Sequence, residues 1–297
     1  MKKTVQTALI TAAAAGLFVG LRSLPDIECG FLHYDPPVVD GDGIEYCGND
    51  TPVFVEVGEL AYPVDFSVTT EKERLFAGQT VNVTLSVATK GGRPISAQEL
   101  AITHTELMHV LVVDADRNDY FHVHPEPVGL SGDWQFEFTP QVAGRYQIFA
   151  EFVPSKTRQV VIAEGGLNIE PAGTPGFNHS SSSLPTGWTA ELVADPSVPS
   201  VNQDSRLMLK ISRSDGEPAI LEPVMGAWAH LVAFDEELRG FAHLHPKYTG
   251  KEKNPSPELE FVLNTHIPGS YRIWAQVKVD GIERFIPFTV NVRETAG

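Results

Sequence analysis

The stretch MHVLVVDADRNDYFHVHP at residues 108–125 decides the fold, and it recurs as AHLVAFDEELRGFAHLHP at residues 229–246. Both copies carry three histidines at one spacing, with a proline directly after the last. They are His109, His122 and His124 in the first copy and His230, His243 and His245 in the second. Histidine makes up only 10 of the 297 residues, so a triple coincidence at one shift of the sequence indicates an internal repeat. Three imidazoles that persist in both copies are candidates for a common function.

Short apolar runs separated by turn residues surround each copy. In the first half they cover residues 81–89, 109–115, 133–140 and 146–153; in the second half they cover 206–212, 229–235, 258–264, 271–279 and 285–292. Such runs predict β-strands of a sandwich or a barrel. A Gly-x-Tyr sequence at Tyr146 and again at Tyr271 resembles the tyrosine corner of immunoglobulin-like domains. We therefore expect an all-β protein made of two tandem immunoglobulin-like β-sandwich domains.

The composition divides the chain into segments. We expect a signal peptide or membrane anchor at 1–22, a cysteine-bracketed segment at 23–57, sandwich repeats at 58–170 and 188–297, and a linker at 171–187. The linker assignment follows from the Pro, Gly and Ser content of PAGTPGFNHSSSSLPTG. Each repeat then has about 110 residues, a usual domain size.

The N-terminus predicts export. Lys2 and Lys3 precede an apolar, uncharged run at residues 4–21, which is typical of a signal peptide and is also just long enough for an uncleaved anchor. We expect an extracytoplasmic protein, in the periplasm or at the cell surface. In that oxidising environment Cys29 and Cys47 are expected to form a disulfide; free thiols, or a metal site that includes His33, are the alternatives.

The charge and the motifs limit the functional classes. A net charge of −16 argues against binding nucleic acid or anionic lipid through bulk charge, so any membrane contact is expected only through the N-terminal segment. The sequence has no G-x-S-x-G, no phosphate-binding loop, no H-E-x-x-H and no C-x-x-C-H. We do not expect an enzyme, although a copper oxidoreductase remains a third alternative because three imidazoles can leave a coordination position open.

Strand geometry allows each set of histidines to converge. His122 and His124 are two residues apart, so they share one face of a strand. If the turn at 114–119 centres near residues 115–116, His109 lies opposite His122; a later centre places it opposite His124. In the second copy, the turn at 235–240 is expected to place His230 against His243, with His245 beside them.

Three neutral imidazoles suit copper or zinc. Five residues before the first histidine lies His104 in one copy and Met225 in the other. A thioether would favour Cu(I), whereas a further imidazole would suit Cu(II) or Zn(II). Either residue joins its site only if the chain bends before the first histidine. The alternative is that the histidines are structural and hydrogen-bond a loop of the scaffold.

The two histidine stretches, followed by GRYQIFAEF and GSYRIWAQV, resemble the exported bacterial β-sandwich domains called YtkA-like. They are more distantly similar to periplasmic copper-binding sandwiches of the copper-resistance and copper-chaperone type. The resemblance implies export and a sandwich fold, and it suggests copper handling.

The sequence thus supports two hypotheses. In the first, the chain is an extracytoplasmic protein that binds one copper or zinc ion in each repeat. In the second, it is a non-catalytic structural or interaction module that presents its loops to another protein of the cell envelope.

Overall fold

The computed structural model describes the backbone of residues 38–40 and 43–45 and the full residues 54–57, 64–172, 184–216, 220–247 and 258–295. The predicted signal or anchor segment, Cys29, Cys47 and most of the predicted linker lie outside these residues. Within the described ranges, no helix has both the length and the apolar character needed to cross a bilayer.

The structure is all-β, as predicted. Three short strands precede the first repeat: β1 (Val38–Asp40), β2 (Gly43–Glu45) and β3 (Val55–Glu56). The first repeat contains β4 (Val64–Thr70), β5 (Val81–Thr89), β6 (Leu100–Ala101), β7 (Met108–Asp114), β8 (Tyr120–Val123), β9 (Glu126–Val128), β10 (Asp133–Phe138), β11 (Gly144–Pro154) and β12 (Val161–Ile169), with a 3-10 turn at Ala97–Glu99. The second repeat contains β13 (Trp188–Asp195), β14 (Ser205–Arg213), β15 (His230–Phe234), β16 (Gly240–Leu244), β17 (Glu258–Leu263), β18 (Gly269–Val279) and β19 (Ile282–Val292).

Each repeat is an immunoglobulin-like sandwich of two antiparallel sheets. In the first repeat, a sheet in the order β4-β5-β10-β9 packs on a sheet in the order β12-β11-β7-β8, with β6 paired to β11. In the second repeat, β13-β14-β17 packs on β19-β18-β15-β16-β3. Every apolar run quoted from the sequence forms one of these strands, with ends that differ by at most three residues.

The two cores are built from alternate residues. On β5, Val83 and Leu85 are buried and the residues between them are more exposed; they pack on Val110 and Val112 of β7 inside the first sandwich. The second core repeats this arrangement with residues such as Leu209. Burial of such aliphatic side chains is the main stabilising contribution to a fold of this size.

The tyrosine-corner prediction is confirmed in both repeats. The hydroxyl of Tyr146 accepts the backbone N–H of Val142 at 3.3 Å, and that of Tyr271 donates to the carbonyl of Ile267 at 2.8 Å. Each phenol thus closes the turn that leads into the central strand of its sheet.

A third apolar cluster lies between the two sandwiches, and we call it the shared layer. It joins the outward faces of β7, β8, β11 and β12 to those of β15, β16 and β18. Its buried members are Val57, Leu111, Val113, Tyr120, Phe149, Ile162, Val232, Phe234, Phe241 and Trp274. The rings of Tyr120 and Trp274 stack across it with centroids 5.6 Å apart. The two repeats therefore pack face to face through these sheets.

Strand β3 precedes the first repeat in sequence but pairs with β16 of the second, with Phe241 opposite Val55. Phe54, next to β3, is buried in the second core. The segment before the first repeat therefore completes the edge of the second sandwich. Close approach here requires glycine, because a Cβ at Gly240 would lie 1.7 Å from the carbonyl oxygen of Val55.

Candidate metal centre between the two sandwiches

The hairpin β7–β8 has the later of the two predicted turn centres. Leu111 pairs with His122 and Val110 with Val123, so the register places His109 level with His124. The Asp114 carboxylate accepts backbone N–H groups from Asn118 and Asp119 at 2.6 Å each, which stabilises a longer turn.

For the second hairpin the predicted register is wrong by two residues. His243 lies opposite Val232, so that His230 is level with His245 rather than with His243. Asp235 is the cause, because its carboxylate accepts the N–H of Arg239 at 2.8 Å and holds a longer turn than expected. A shift of two residues keeps each side chain on its face of the sheet, and the histidines still converge.

All six repeated histidines lie on the faces of the sheets that form the shared layer. On β7, His109 alternates with Val110, which points into the core of its own sandwich, whereas Leu111 points into the shared layer. The same alternation places His230 of β15 on the side of Val232 and Phe234. The two sets of histidines are therefore at the interface between the repeats.

We call His109, His122 and His124 triple 1, and His230, His243 and His245 triple 2. Within each triple, one ring nitrogen from every histidine lies within 4.8 Å of the others. The triples are also neighbours, since the rings of His122 and His243 have centroids 5.3 Å apart. The sequence predicted two separate clusters, one in each domain; the structure brings them into one.

In triple 1, hydrogen bonds assign the tautomers. His109 donates from Nε2 to the carbonyl of Thr103 at 2.8 Å, and His122 donates from Nδ1 to Oε1 of Gln276 at 2.9 Å. The Gln276 amide is oriented by its own donation from Nε2 to Glu283 at 2.9 Å. The remaining nitrogens, Nδ1 of His109 and Nε2 of His122, carry no proton in the neutral rings and face each other at 3.1 Å. Two facing lone pairs repel each other unless a cation lies between them.

Triple 2 has the same arrangement. His230 donates from Nε2 to the carbonyl of Val224 at 3.0 Å, and its Nδ1 lies 3.3 Å from Nε2 of His243. The other nitrogen of His243, Nδ1, lies 3.8 Å from the carboxylate of Glu151. In triple 1 the first two histidines thus direct their free nitrogens toward one point, and in triple 2 the free Nδ1 of His230 faces Nε2 of His243. A carbonyl, an amide or a carboxylate occupies the other side of each ring. This is the pattern that orients metal-binding histidines in proteins.

The third histidine of each triple offers a nitrogen without a partner. Nε2 of His124 and Nε2 of His245 are buried, and neither has a hydrogen-bond partner within the described part of the chain. A buried polar atom without a partner is costly. A zinc or copper ion with bonds of about 2.0–2.1 Å to imidazole needs donor atoms about 3.3 Å apart, which is close to the separation of the first two nitrogens in each triple.

Burial keeps these rings neutral. Desolvation, with a smaller contribution from His109, lowers the pKa of His124 to about 4. Desolvation is also the largest cause that lowers the pKa of His230 to about 3. The pKa values of the other rings of the cluster are lowered in the same way, by burial first, in His104, His109, His122, His243 and His245. A neutral imidazole is the form that binds a metal ion.

His104 reaches the cluster because the chain bends as the prediction required. Residues 103–106 form a tight turn in which His104 and Thr105 both have positive φ, and Met225 and Gly226 adopt the equivalent turn. This is the type I′ geometry. The His104 ring lies 6.1 Å from His109, but it stacks on His245 of the other repeat at 3.9 Å between centroids. Met225 is half-buried at the corresponding position of the second repeat.

Sequence reasoning missed Glu151 and Gln276. They occupy equivalent positions on the central strands, since Glu151 pairs with His109 and Gln276 pairs with His230. Each side chain then approaches the middle histidine of the other triple. A signal for them exists in the sequence, because both are isolated polar residues within otherwise apolar runs of strands that are buried on both faces.

Comparison with curated proteins gave no significant match. Solved structures match the chain only at low similarity. The Escherichia coli adhesin FdeC is 16% identical over 78% of this chain, with a TM-score of 0.25, and this chain spans 64% of its length. Fibronectin(III)-like modules of Clostridium thermocellum CbhA are 15% identical over 77% of this chain and 95% of theirs, with a TM-score of 0.20. Escherichia coli alpha-2-macroglobulin is 14% identical over 80% of this chain and 22% of its own, with a TM-score of 0.27. Similarity at this level assigns no activity.

One protein family matches both repeats, at residues 63–166 and 186–294, and each matched range contains one histidine triple. The chain belongs to this family, which is described as Domain of unknown function (DUF8832).

Proposed function

We propose that this chain is a non-catalytic, extracytoplasmic metal-binding protein that holds copper or zinc ions in its two histidine triples. The observation that carries the proposal is the pair of free nitrogens on His109 and His122, which face each other at 3.1 Å while both rings donate protons elsewhere. A proton between them is disfavoured, because burial lowers the pKa of both rings. A metal ion removes the repulsion without requiring a charged imidazole.

The chemistry of the donor set supports copper or zinc over harder cations. Three imidazoles and no carboxylate in each triple match the borderline metals, whereas magnesium and calcium prefer oxygen ligands. Half-buried His104, His124 and His245 leave a side from which an ion could enter. The apolar run at residues 4–21 supports export, and storage, delivery or sensing of the metal would follow from that location.

Metal analysis tests the proposal directly. Protein isolated from the extracytoplasmic fraction of cells grown with added copper and zinc is expected to retain up to two ions per chain. Replacing His122 and His124 with Gln is expected to remove one of them. His266→Gln is the matched control, because His266 is exposed and pairs with Glu56 away from the triples. Absence of stoichiometric metal under these conditions would contradict the proposal.

The second candidate function is a structural or interaction module of the cell envelope. It is favoured by the position of both triples inside an apolar interface and by the backbone hydrogen bonds of His109 and His230. In this case the histidines would only join the two sandwiches, and the loops would contact another envelope protein. Thermal unfolding separates the candidates: a metal-dependent rise of several degrees in Tm supports the first, and an unchanged Tm with copper or zinc supports the second.

A further inference from the structure

The two triples have histidines at equivalent positions, but the residues around them differ. Each middle histidine is approached by a side chain from the opposite repeat, so that neither triple is complete within one domain. Gln276 of the second repeat accepts from His122 of triple 1, and Glu151 of the first repeat lies beside His243 of triple 2. At these equivalent positions one side chain is a neutral amide and the other is a carboxylate.

This difference in charge acts through the imidazole. A carboxylate next to the Nδ1–H of a histidine makes the opposite nitrogen a stronger donor and adds a negative charge close to the ion. An amide orients the ring without either effect. The Glu151 carboxylate lies 3.8 Å from Nδ1 of His243, and its side chain is 23% exposed, so solvent screens its charge only in part.

The ring of His104 is a second difference between the surroundings of the two triples. His104 comes from the first repeat, yet it stacks on His245 of triple 2, with centroids 3.9 Å apart. The ring of His104 lies 6.2 Å from that of His230. The equivalent turn position of the second repeat holds Met225, a softer thioether that adds little affinity for a divalent ion.

We infer that the two triples are inequivalent metal sites, with triple 2 the tighter site for a divalent cation because the first repeat gives it Glu151 and His104. The inference rests on the proposed function. It also implies that the site in the second repeat requires the first repeat, so that the packed pair of domains is the binding unit.

Zinc titration of the full chain against a competing chelator tests this inference. His245→Gln leaves triple 1 intact, and His124→Gln leaves triple 2 intact. The His124→Gln protein is expected to bind one Zn²⁺ about 10–100-fold more tightly than the His245→Gln protein, the range typical of groups that support a metal ligand. His266→Gln is again the control and should retain both binding steps.

A charge exchange isolates the contribution of the carboxylate. Glu151→Gln combined with Gln276→Glu moves the carboxylate from triple 2 to triple 1 without changing the net charge or the side-chain size. When this exchange is added to each of the two histidine variants, the ratio of the Zn²⁺ affinity of His124→Gln to that of His245→Gln is expected to fall by about tenfold or more. Near-UV circular dichroism checks the packing of the interface, and Gln276→Glu alone, expected to tighten triple 1, provides a second measurement if the double exchange does not fold.

The outcomes are distinct. Equal affinities of the two histidine variants, or tighter binding by triple 1, would overturn the inference and leave the proposed function intact. An affinity ratio that does not respond to the carboxylate exchange would also overturn it. No zinc binding by either variant or by the unaltered chain would overturn the proposed function, and the inference with it.

Discussion

Strands β5 and β7 belong to opposite sheets of the first sandwich, and their burial differs. Buried residues of β5 alternate with more exposed ones, whereas all seven residues of β7 are buried. A strand without alternation must be covered on both faces, and here the second cover is the other repeat. We call the sheets β12-β11-β7-β8 and β19-β18-β15-β16-β3 the inner sheets. One face of each inner sheet forms the core of its own sandwich, and the other face forms the shared layer with its histidines.

Acidification is expected to act most strongly on the inner sheets. In the folded, metal-free protein the histidine pKa values are lowered by burial, to about 4 for His124 and about 3 for His230. The unfolded chain therefore binds more protons below about pH 6.5. Stability is fully present above that pH and falls as the pH decreases toward 4 and then 3. The loss is about 1.4 kcal/mol per pH unit for each ring that takes up a proton on unfolding.

Urea unfolding midpoints measured between pH 8 and pH 5 with a chelator present would follow this loss. His266→Gln changes an exposed ring and is expected to leave the dependence of the midpoint on pH unchanged. His122→Gln together with His243→Gln is expected to make the midpoint depend less on pH. A midpoint that is constant from pH 7 to pH 5 would mean that the shared layer does not hold the rings in their neutral form.

Removal of a large ring from the shared layer is expected to have the next largest effect. Trp274 is buried and stacks on Tyr120, and its Nε1 has no hydrogen-bond partner within the described residues, so Trp274→Ala removes packing alone. We expect a loss of about 3–5 kcal/mol in the free energy of unfolding, measured by urea denaturation. Val193→Ala on β13 of the other sheet is the control, because Val193 is 48% exposed and should change stability by less than about 0.5 kcal/mol. Similar losses in the free energy of unfolding for both variants would mean that the shared layer stabilises the protein no more than the exposed face of β13 does.

Most of the fold could be predicted from the sequence because it depends on local pattern. Alternation in residues 81–89, the Gly-x-Tyr turns at Tyr146 and Tyr271, and the repeated histidine spacing each specify a strand or a turn within a few residues. The common face of His122 and His124 follows from the two-residue period of a strand alone.

The meeting of the two triples could not be predicted in the same way. It depends on contacts between residues far apart in sequence, such as His104 with His245 or Glu151 with His243, which no spacing rule specifies. The uninterrupted apolar runs at 110–113 and 231–234 are typical of strands covered on both faces, but such runs do not identify the element that covers the second face. The predicted register of the second hairpin was wrong because the hydrogen bond from the N–H of Arg239 to the Asp235 carboxylate lengthens the turn.

A substitution at Gly240 tests how the inner sheet of the second repeat ends. A Cβ there would lie 1.7 Å from the Val55 carbonyl oxygen and 2.7 Å from its carbon, so Gly240→Ala must displace β3 and loosen Phe54 from the core. Such overpacking typically costs about 1–3 kcal/mol. Faster amide hydrogen exchange at residues 54–57 is expected, together with a lower urea midpoint.

Gly91→Ala is the control for this variant. An added Cβ at Gly91 meets only the hydroxyl of Thr89, at 3.8 Å, and stability should be unchanged or slightly higher. Unchanged exchange at residues 54–57 in Gly240→Ala would mean that β3 does not close the edge of the inner sheet.

The smallest expected effect is the difference in stability loss when the hydroxyl group is removed from each of the two tyrosine corners. The Tyr146 hydroxyl donates to the Asp119 carboxylate at 2.5 Å, whereas the Tyr271 hydroxyl bonds neutral groups, the carbonyl of Ile267 at 2.8 Å and the hydroxyl of Thr265 at 2.5 Å. A hydrogen bond to a charged group contributes about 1.5–3 kcal/mol and a neutral one about 0.5–1.5 kcal/mol. Tyr146→Phe is therefore expected to lower the free energy of unfolding more than Tyr271→Phe, by about 1 kcal/mol. Because both rings keep their packing in the cores, urea denaturation of the two variants measures the hydroxyl groups alone, and equal losses would mean that the carboxylate of Asp119 gives the first inner sheet no additional anchoring.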